Sequence, residues 1–320
     1  MTSASTDMTG LADAVAPGRA GAGGAVRLIL GAAQLGMAYG LANRLGRPDE
    51  AQAHAIIGLA WISGVEAFDT AQHYGQSEQV LGRGLARLGV SGQAKVVTKL
   101  APSLDPRDDA AVSAALERSR RLLGQERLWG CLLHNAAWLA NWRNGPEPAL
   151  RRALDEGVVA NLGVSVYEKA QARQALETPD VRMIQAPLNA WSADPEWEDI
   201  LALARQSGRM VFLRSVYLQG LLLLTPEEAA ARLPEAGPAL RRWRDLARWL
   251  DCSPQELALR FAAGFGWPLV VGLESVEQLR ENLALAQAAP LTPDERRHVA
   301  AAMKPLITER LIDPRRWPAA

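Results

Sequence analysis

Eight apolar, strand-like runs alternate with amphipathic helical segments, and no glycine-rich phosphate turn follows the first run. Together these observations predict an α/β protein folded as a closed (β/α)8 barrel, the TIM-barrel architecture. The runs are RLILGAA, VEAFD, KVVTK, LWGCLLH, VVANLGVSV, RMIQAPL, RMVFLRS and PLVVGL. Continuous Val, Ile and Leu suit strands covered on both faces, as parallel sheets are. Segments such as PDEAQAHAIIGLAWISG, SEQVLGRGLARLG, DAAVSAALERSRRLLG and GPEPALRRALDEG carry apolar residues near helical spacing. Gly64, Gly89, Gly124 and Gly157 stand where such helices should stop. A doubly wound sheet is the alternative, but it places its phosphate-binding glycines directly after the first strand. Here GAGG, at positions 21 to 24, precedes that strand.

Composition narrows the partners. The 320 residues, 48% of them hydrophobic, are enough for one large core, and one barrel domain over 26–320 is expected after an Ala/Gly-rich flexible tail over 1–25. Lys plus Arg equal Asp plus Glu at 35 each, so net charge calls for neither nucleic acid nor an anionic membrane. Two cysteines, Cys131 and Cys252, without CxxC spacing give no metal site and suit a reducing compartment. No apolar run reaches the ~20 residues of a membrane span, and no signal peptide is recognisable at the start. The expected location is the cytoplasm.

The stretch FDTAQHYGQSE, residues 68 to 78, carries the first chemical signal. A buried strand ends in Asp69, with Tyr74 in the loop above it; the next two strands end in Lys99 and His134. In a (β/α)8 barrel the carboxyl ends of the strands build the active site, so the four side chains should converge on one rim. A tyrosine is a poor acid at neutral pH, and a neighbouring ammonium is expected to lower its pKa. Lys99 would supply that charge, Asp69 would hold the lysine, and His134 would orient a substrate carbonyl.

These residues, with GAAQLGMAYG, TKL, LLHN, GVSVY, IQAPLN, LRSVYLQGLL and VVGLESVEQLRENL in order, resemble the aldo-keto reductases from about residue 28 to 285. The resemblance implies a nicotinamide-dependent reductase of a small aldehyde, ketone or sugar carbonyl, with Asp69, Tyr74, Lys99 and His134 as catalytic tetrad. It further implies Ser165 and Gln185 at the nicotinamide carboxamide. Arg214 and Ser215 end strand seven and Gln219 follows it, and Gly272, Glu274, Ser275, Gln278 and Asn282 surround the adenosine phosphate end. Singly, Asp69 reads as a cap, Lys99 as a snorkelling surface residue and His134 as a rim histidine. Jointly, in family order, they read as a site. Of the ten tryptophans, Trp191 is expected near the substrate mouth.

Three departures from the family pattern bear on the cofactor. Val166 stands where asparagine commonly grips the nicotinamide amide. Arg214 stands where many members stack an aromatic ring, and its charge would oppose the oxidised nicotinamide. Glu274 and Gln278 stand near the places of the Lys and Arg that hold a 2′-phosphate, so NADH is expected over NADPH. The same resemblance extends to an NADH-binding bacterial regulator of cell division, which gives a second reading: a cofactor-responsive barrel with a protein partner and weak or no catalysis. A potassium-channel β-subunit-like role ranks below both.

Overall fold

The computed structural model describes residues 26–318, so the expected N-terminal tail lies outside the described residues. Eight parallel strands close in sequence order, β1 to β8: Leu28–Gly31, Ala67–Asp69, Lys95–Leu100, Gly130–Leu133, Leu162–Ser165, Val181–Pro187, Met210–Arg214 and Leu269–Gly272. β1 pairs with both β2 and β8, which completes the barrel. Each strand coincides with one of the eight runs expected from sequence, β3 and β6 extending one residue beyond theirs, to Leu100 and from Val181. The helices Glu50–Ile62, Ser77–Arg87, Asp109–Leu123 and Glu147–Asp155 also occupy their expected segments. Gly64, Gly89, Gly124 and Gly157 follow them with positive φ, the backbone that ends a helix at glycine without a Cβ penalty.

Two apolar layers follow from the period of two along each strand. Residues facing outward join the large core between barrel and helices. Those facing inward form a smaller cluster of Ile29, Val97, Leu132, Met183, Phe212 and Val270, with Ala67, Trp129 and Met210 packed on it. The inner layer is tight at β5, where a Cβ on Gly163 would lie 2.4 Å from the Met183 carbonyl oxygen and 2.5 Å from a Leu132 methyl. A packed interior is a floor, and what faces inward above it becomes the site. Counting two residues on from the inner layer gives Gly31, Asp69, Lys99, His134, Gln185, Arg214 and Gly272, with Ser165 two beyond Gly163. The strand geometry alone therefore brings the ionisable side chains to one rim.

Candidate active site

A cavity of about 530 Å³ opens at that rim and extends from His134 after β4 to the helix Val276–Leu285 after β8. Asp69, Tyr74, His134, Ser165, Gln185, Arg214, Ser215, Gln219, Gly272, Glu274, Gln278 and Asn282 all line it. Two of the catalytic and cofactor residues named from sequence do not. Lys99 is wholly buried beneath Asp69, and Ser275 caps the helix Val276–Leu285, its Oγ accepting from the Gln278 amide at 3.2 Å.

Lys99 Nζ donates to both Asp69 carboxylate oxygens at 2.7 Å and to the Thr70 carbonyl at 2.9 Å. All three ammonium protons are thus engaged. Burial lowers the lysine's pKa while the carboxylate opposes that shift. Gln185 Nε2 donates to Asp69 Oδ1 at 2.7 Å, fixing the carboxylate from the other side. Above the pair lies Tyr74, its ring centroid 5.0 Å from Lys99 Nζ and 5.7 Å from the His134 ring, which stands edge-on at 89°.

The expectation that Lys99 depresses the Tyr74 pKa is overturned. Burial, then the Asp69 carboxylate, pushes the phenol up; Arg214 opposes. The lysine's charge is spent on Asp69, so the pair offers Tyr74 little net positive field. His134 moves the other way: burial, aided by Lys99, Arg214 and His73, lowers it to about 3. Its ring is neutral at physiological pH, and Nδ1 is buried with no hydrogen-bond partner in the protein. The site therefore holds a neutral phenol and a neutral imidazole over a closed ion pair.

Tyr74 owes its position to the loop that follows β2. Thr70 Oγ1 and Ser77 Oγ share a hydrogen bond of 2.7 Å, and Ser77 Oγ donates to the Ala32 carbonyl at 2.6 Å. Gln72 spans to the next strand and helix, accepting from the Ala101 amide at 2.8 Å and donating to Ser119 Oγ at 2.9 Å. The chain after β1 presses on the same loop: a Cβ on Gly36 would lie 1.9 Å from the Tyr74 carbonyl oxygen. Only glycine allows that approach.

The residues at the other end satisfy one another. Gln278 Oε1 accepts from the Glu274 amide at 2.7 Å, and Asn282 Nδ2 donates to the Gln278 carbonyl at 2.7 Å. Asn282 Oδ1 accepts from the Tyr217 hydroxyl. The Glu274 carboxylate accepts from the backbone amides of Arg44 and Leu45, tying the loop after β1 across the cavity. That loop also meets the segment after β7, where the Ala42 amide donates to the Gln219 carbonyl at 3.3 Å and Gln219 Nε2 donates to the Tyr39 hydroxyl at 3.1 Å.

Two features fit a nicotinamide dinucleotide. Gln185 Oε1 is buried without a partner, because its amide nitrogen is committed to Asp69. An unmet buried acceptor is costly, and a primary carboxamide N–H would satisfy it. Ser215 and Gln219 on the cavity wall hold positive φ values of 63° and 53°, with the buried Leu218 between them at 48°, a cluster of backbone strain.

The departures at Val166 and Arg214 prove to be one arrangement. Val166 is buried, and its carbonyl accepts from Arg214 Nη2 at 2.9 Å, while Nη1 donates to Ser215 Oγ at 3.1 Å. The guanidinium lies over the Tyr167 ring at 4.3 Å. Sequence reasoning missed Tyr39, Tyr167, Gln255, Glu281 and Arg315, which also line the cavity. Tyr39 lay in a quoted motif, but Arg315 carried no signal because it arrives from the far end of the chain. Trp191, expected at the mouth, is buried and lines no part of the cavity. Among the described residues no cluster of His, Cys, Asp or Glu is arranged to hold a metal, and no helix is long and apolar enough to cross a membrane.

The profile of the Aldo/keto reductase family matches residues 27–304. No curated protein sequence matches the chain. Among solved structures it is similar to aldo-keto reductase AKR11C1 from Bacillus halodurans in its holo form, at 21% identity and a TM-score of 0.71 over 93% of this chain and 99% of that one. It is also similar to the thermostable aldo-keto reductase Tm1743, solved with an inhibitor, at 19% identity and a TM-score of 0.63 over 86% of this chain and 94% of that one. At such identities the structures speak for the fold, whereas the family profile spans most of the sequence. The chain belongs to the aldo/keto reductase family.

Proposed function

We propose that the protein reduces the carbonyl of a small aldehyde, ketone or sugar, with NADH as the preferred cofactor and Tyr74 as general acid. The observation that carries this reading is the neutral Tyr74–His134 pair standing over the closed Lys99–Asp69 ion pair. When bound, the nicotinamide supplies hydride to the carbonyl carbon. Ser165 and Gln185 are the residues that would hold its carboxamide, and the unmet Gln185 Oε1 supports that assignment. Glu274, Gln278 and Asn282 would hold the adenosine end.

The chain's own part is the proton. Tyr74, kept protonated by burial, donates its hydroxyl proton to the carbonyl oxygen as charge develops there; an alkoxide is a far stronger base than a phenolate, so the transfer runs downhill. His134, kept neutral, can direct a ring N–H at the same oxygen without a competing positive charge. Arg214, the one cation that opposes the upward shift of Tyr74, then favours the phenolate left behind, while the Lys99–Asp69 pair fixes the floor beneath the ring.

Tyr74→Phe tests the reading. General acid catalysis contributes roughly 10² to 10⁴ in rate, so reduction of an aldehyde panel should fall by that factor while NADH still binds. Undiminished turnover in the variant would remove Tyr74 from the chemistry. NADH binding by the unmodified protein without turnover of any aldehyde, ketone or sugar would favour the second reading, a cofactor-responsive binding protein.

A further inference from the structure

We propose that Arg214, Tyr167 and Arg315 form an anion subsite in the cavity, which takes the carboxylate or phosphate group of the molecule whose carbonyl faces Tyr74. The inference rests on the carbonyl-reductase reading and adds the substrate class to it. The Tyr167 ring carries two cations: the guanidinium carbon of Arg214 lies 4.3 Å from its centroid and that of Arg315 lies 3.9 Å away. All three side chains line the same cavity as Tyr74 and His134. The negative face of an aromatic ring attracts a guanidinium, so Tyr167 anchors both cations at the cavity wall.

The arrangement keeps donors and charge in reserve. Each guanidinium has five N–H donors. Arg315 donates Nε–H and one Nη2–H to the two Asp313 oxygens at 2.8 Å, an anchor that fixes its plane and leaves the Nη1 edge free for a ligand. Among the described residues Arg214 donates to neutral oxygens, the Val166 carbonyl and Ser215 Oγ, and pairs with no carboxylate. Asp313 is shared between Arg315 and Arg316, and Glu168 also acts on Arg315, so the less compensated cation of the stack is Arg214. The field of Arg214 reaches the reacting groups, since it contributes to the shifts of both Tyr74 and His134. Of the carboxylates lining the cavity, Asp69 is paired with Lys99, Glu274 accepts from the Arg44 and Leu45 amides, and Glu281 lies on the helix Val276–Leu285 after β8. A planar, pre-oriented guanidinium edge suits a carboxylate or a phosphate, which accepts two parallel N–H bonds.

The test compares charged and neutral ligands of matched shape. Calorimetric titration with 4-(hydroxymethyl)benzoate against 4-methylbenzyl alcohol covers the carboxylate; glycerol 3-phosphate against glycerol covers the phosphate. At least one charged member should bind more tightly than its neutral partner. Arg315→Gln should shrink that ratio about ten- to a hundredfold, the scale of one or two charge-assisted bonds. Arg315→Lys, which keeps the charge without the planar fork, should retain an intermediate ratio. The same ratio is then read from kcat/KM for 4-carboxybenzaldehyde against 4-methylbenzaldehyde. Equal binding of charged and neutral members in both pairs, or a ratio untouched by Arg315→Gln in a variant that still binds NADH, overturns the subsite. If no aldehyde is reduced and Arg315→Gln still abolishes the binding difference, the subsite stands and the reductase reading falls.

Discussion

His134 and Tyr74 are held neutral by the same burial acting on opposite chemistry: desolvation lowers the imidazole to about 3 and raises the phenol. The pH consequences therefore differ in sign. For His134 the folded value lies below the ordinary 6.5, so the unfolded chain binds a proton that the folded chain refuses. Its contribution to stability is fully present above 6.5 and is lost as pH falls from there through about 3. Chemical denaturation at a series of pH values should show stability declining across that window, with a shallower decline in His134→Asn; superimposable slopes would mean that the ring is not held neutral by the fold. For Tyr74 the raised value means that the proton donor stays loaded between about pH 6 and pH 9. The rate of carbonyl reduction at saturating substrate should lack a falling limb from this group in that range. A limb near neutrality that vanishes in Tyr74→Phe would show the phenol to be far more acidic than its surroundings allow.

At the scale of elements, the loop between β2 and the helix Ser77–Arg87 is held by three other segments. Gly36→Ala tests the closest of these contacts, since the added methyl would meet backbone at the Tyr74 carbonyl and the Ser77 amide rather than a side chain able to swing away. Overpacking of this kind costs about 1 to 3 kcal/mol, and here the strain falls on the loop that aims Tyr74. We expect a lower unfolding midpoint and a drop in turnover of at least about tenfold, with NADH affinity little changed because Gly36 does not line the cavity. Turnover equal to that of the unmodified protein would show that the loop tolerates displacement. The same elements show why part of the site was legible in the sequence. A strand has a period of two, so an apolar run ending in a charged residue fixes that side chain at the rim once the barrel is inferred; Asp69, Lys99 and His134 were readable for that reason. Loops have no such period. Tyr39, Tyr167 and Arg315 reach the cavity through turns whose course is set by tertiary contacts, such as the seating of Arg315 on Tyr167. The sign of the Tyr74 shift was illegible for a related reason. Sequence placed a lysine beside a tyrosine but could not show that all its donors are used below the ring.

For the whole molecule, positive and negative side chains balance at 35 each, so no overall field selects between dinucleotides and the choice must be local. The cavity ends at the turn and helix after β8, where Glu274 and Glu281 line it and Gln278 is engaged with the Glu274 backbone. The arginines nearby are occupied or turned away. Arg280 is 65% exposed and pairs with Glu277, and Arg44, in the loop tied down by Glu274, pairs with Glu228. A 2′-phosphate would meet carboxylates there and forgo charge-assisted bonds worth about 1.5 to 3 kcal/mol each, whereas a ribose hydroxyl can donate to a carboxylate. We therefore expect NADH to bind more tightly than NADPH by about tenfold or more for each such bond forgone. Titration of the purified protein with both reduced dinucleotides at matched ionic strength measures the ratio directly. Glu274→Lys is an ambiguous probe, because it also removes the acceptor that pins Arg44 and Leu45. Glu281→Arg is cleaner: it reverses a charge on the cavity wall and leaves that tie intact, so NADPH should gain and NADH change little. Tighter NADPH binding by the unmodified protein, or no gain for NADPH in Glu281→Arg, would place the 2′ position elsewhere in the cavity.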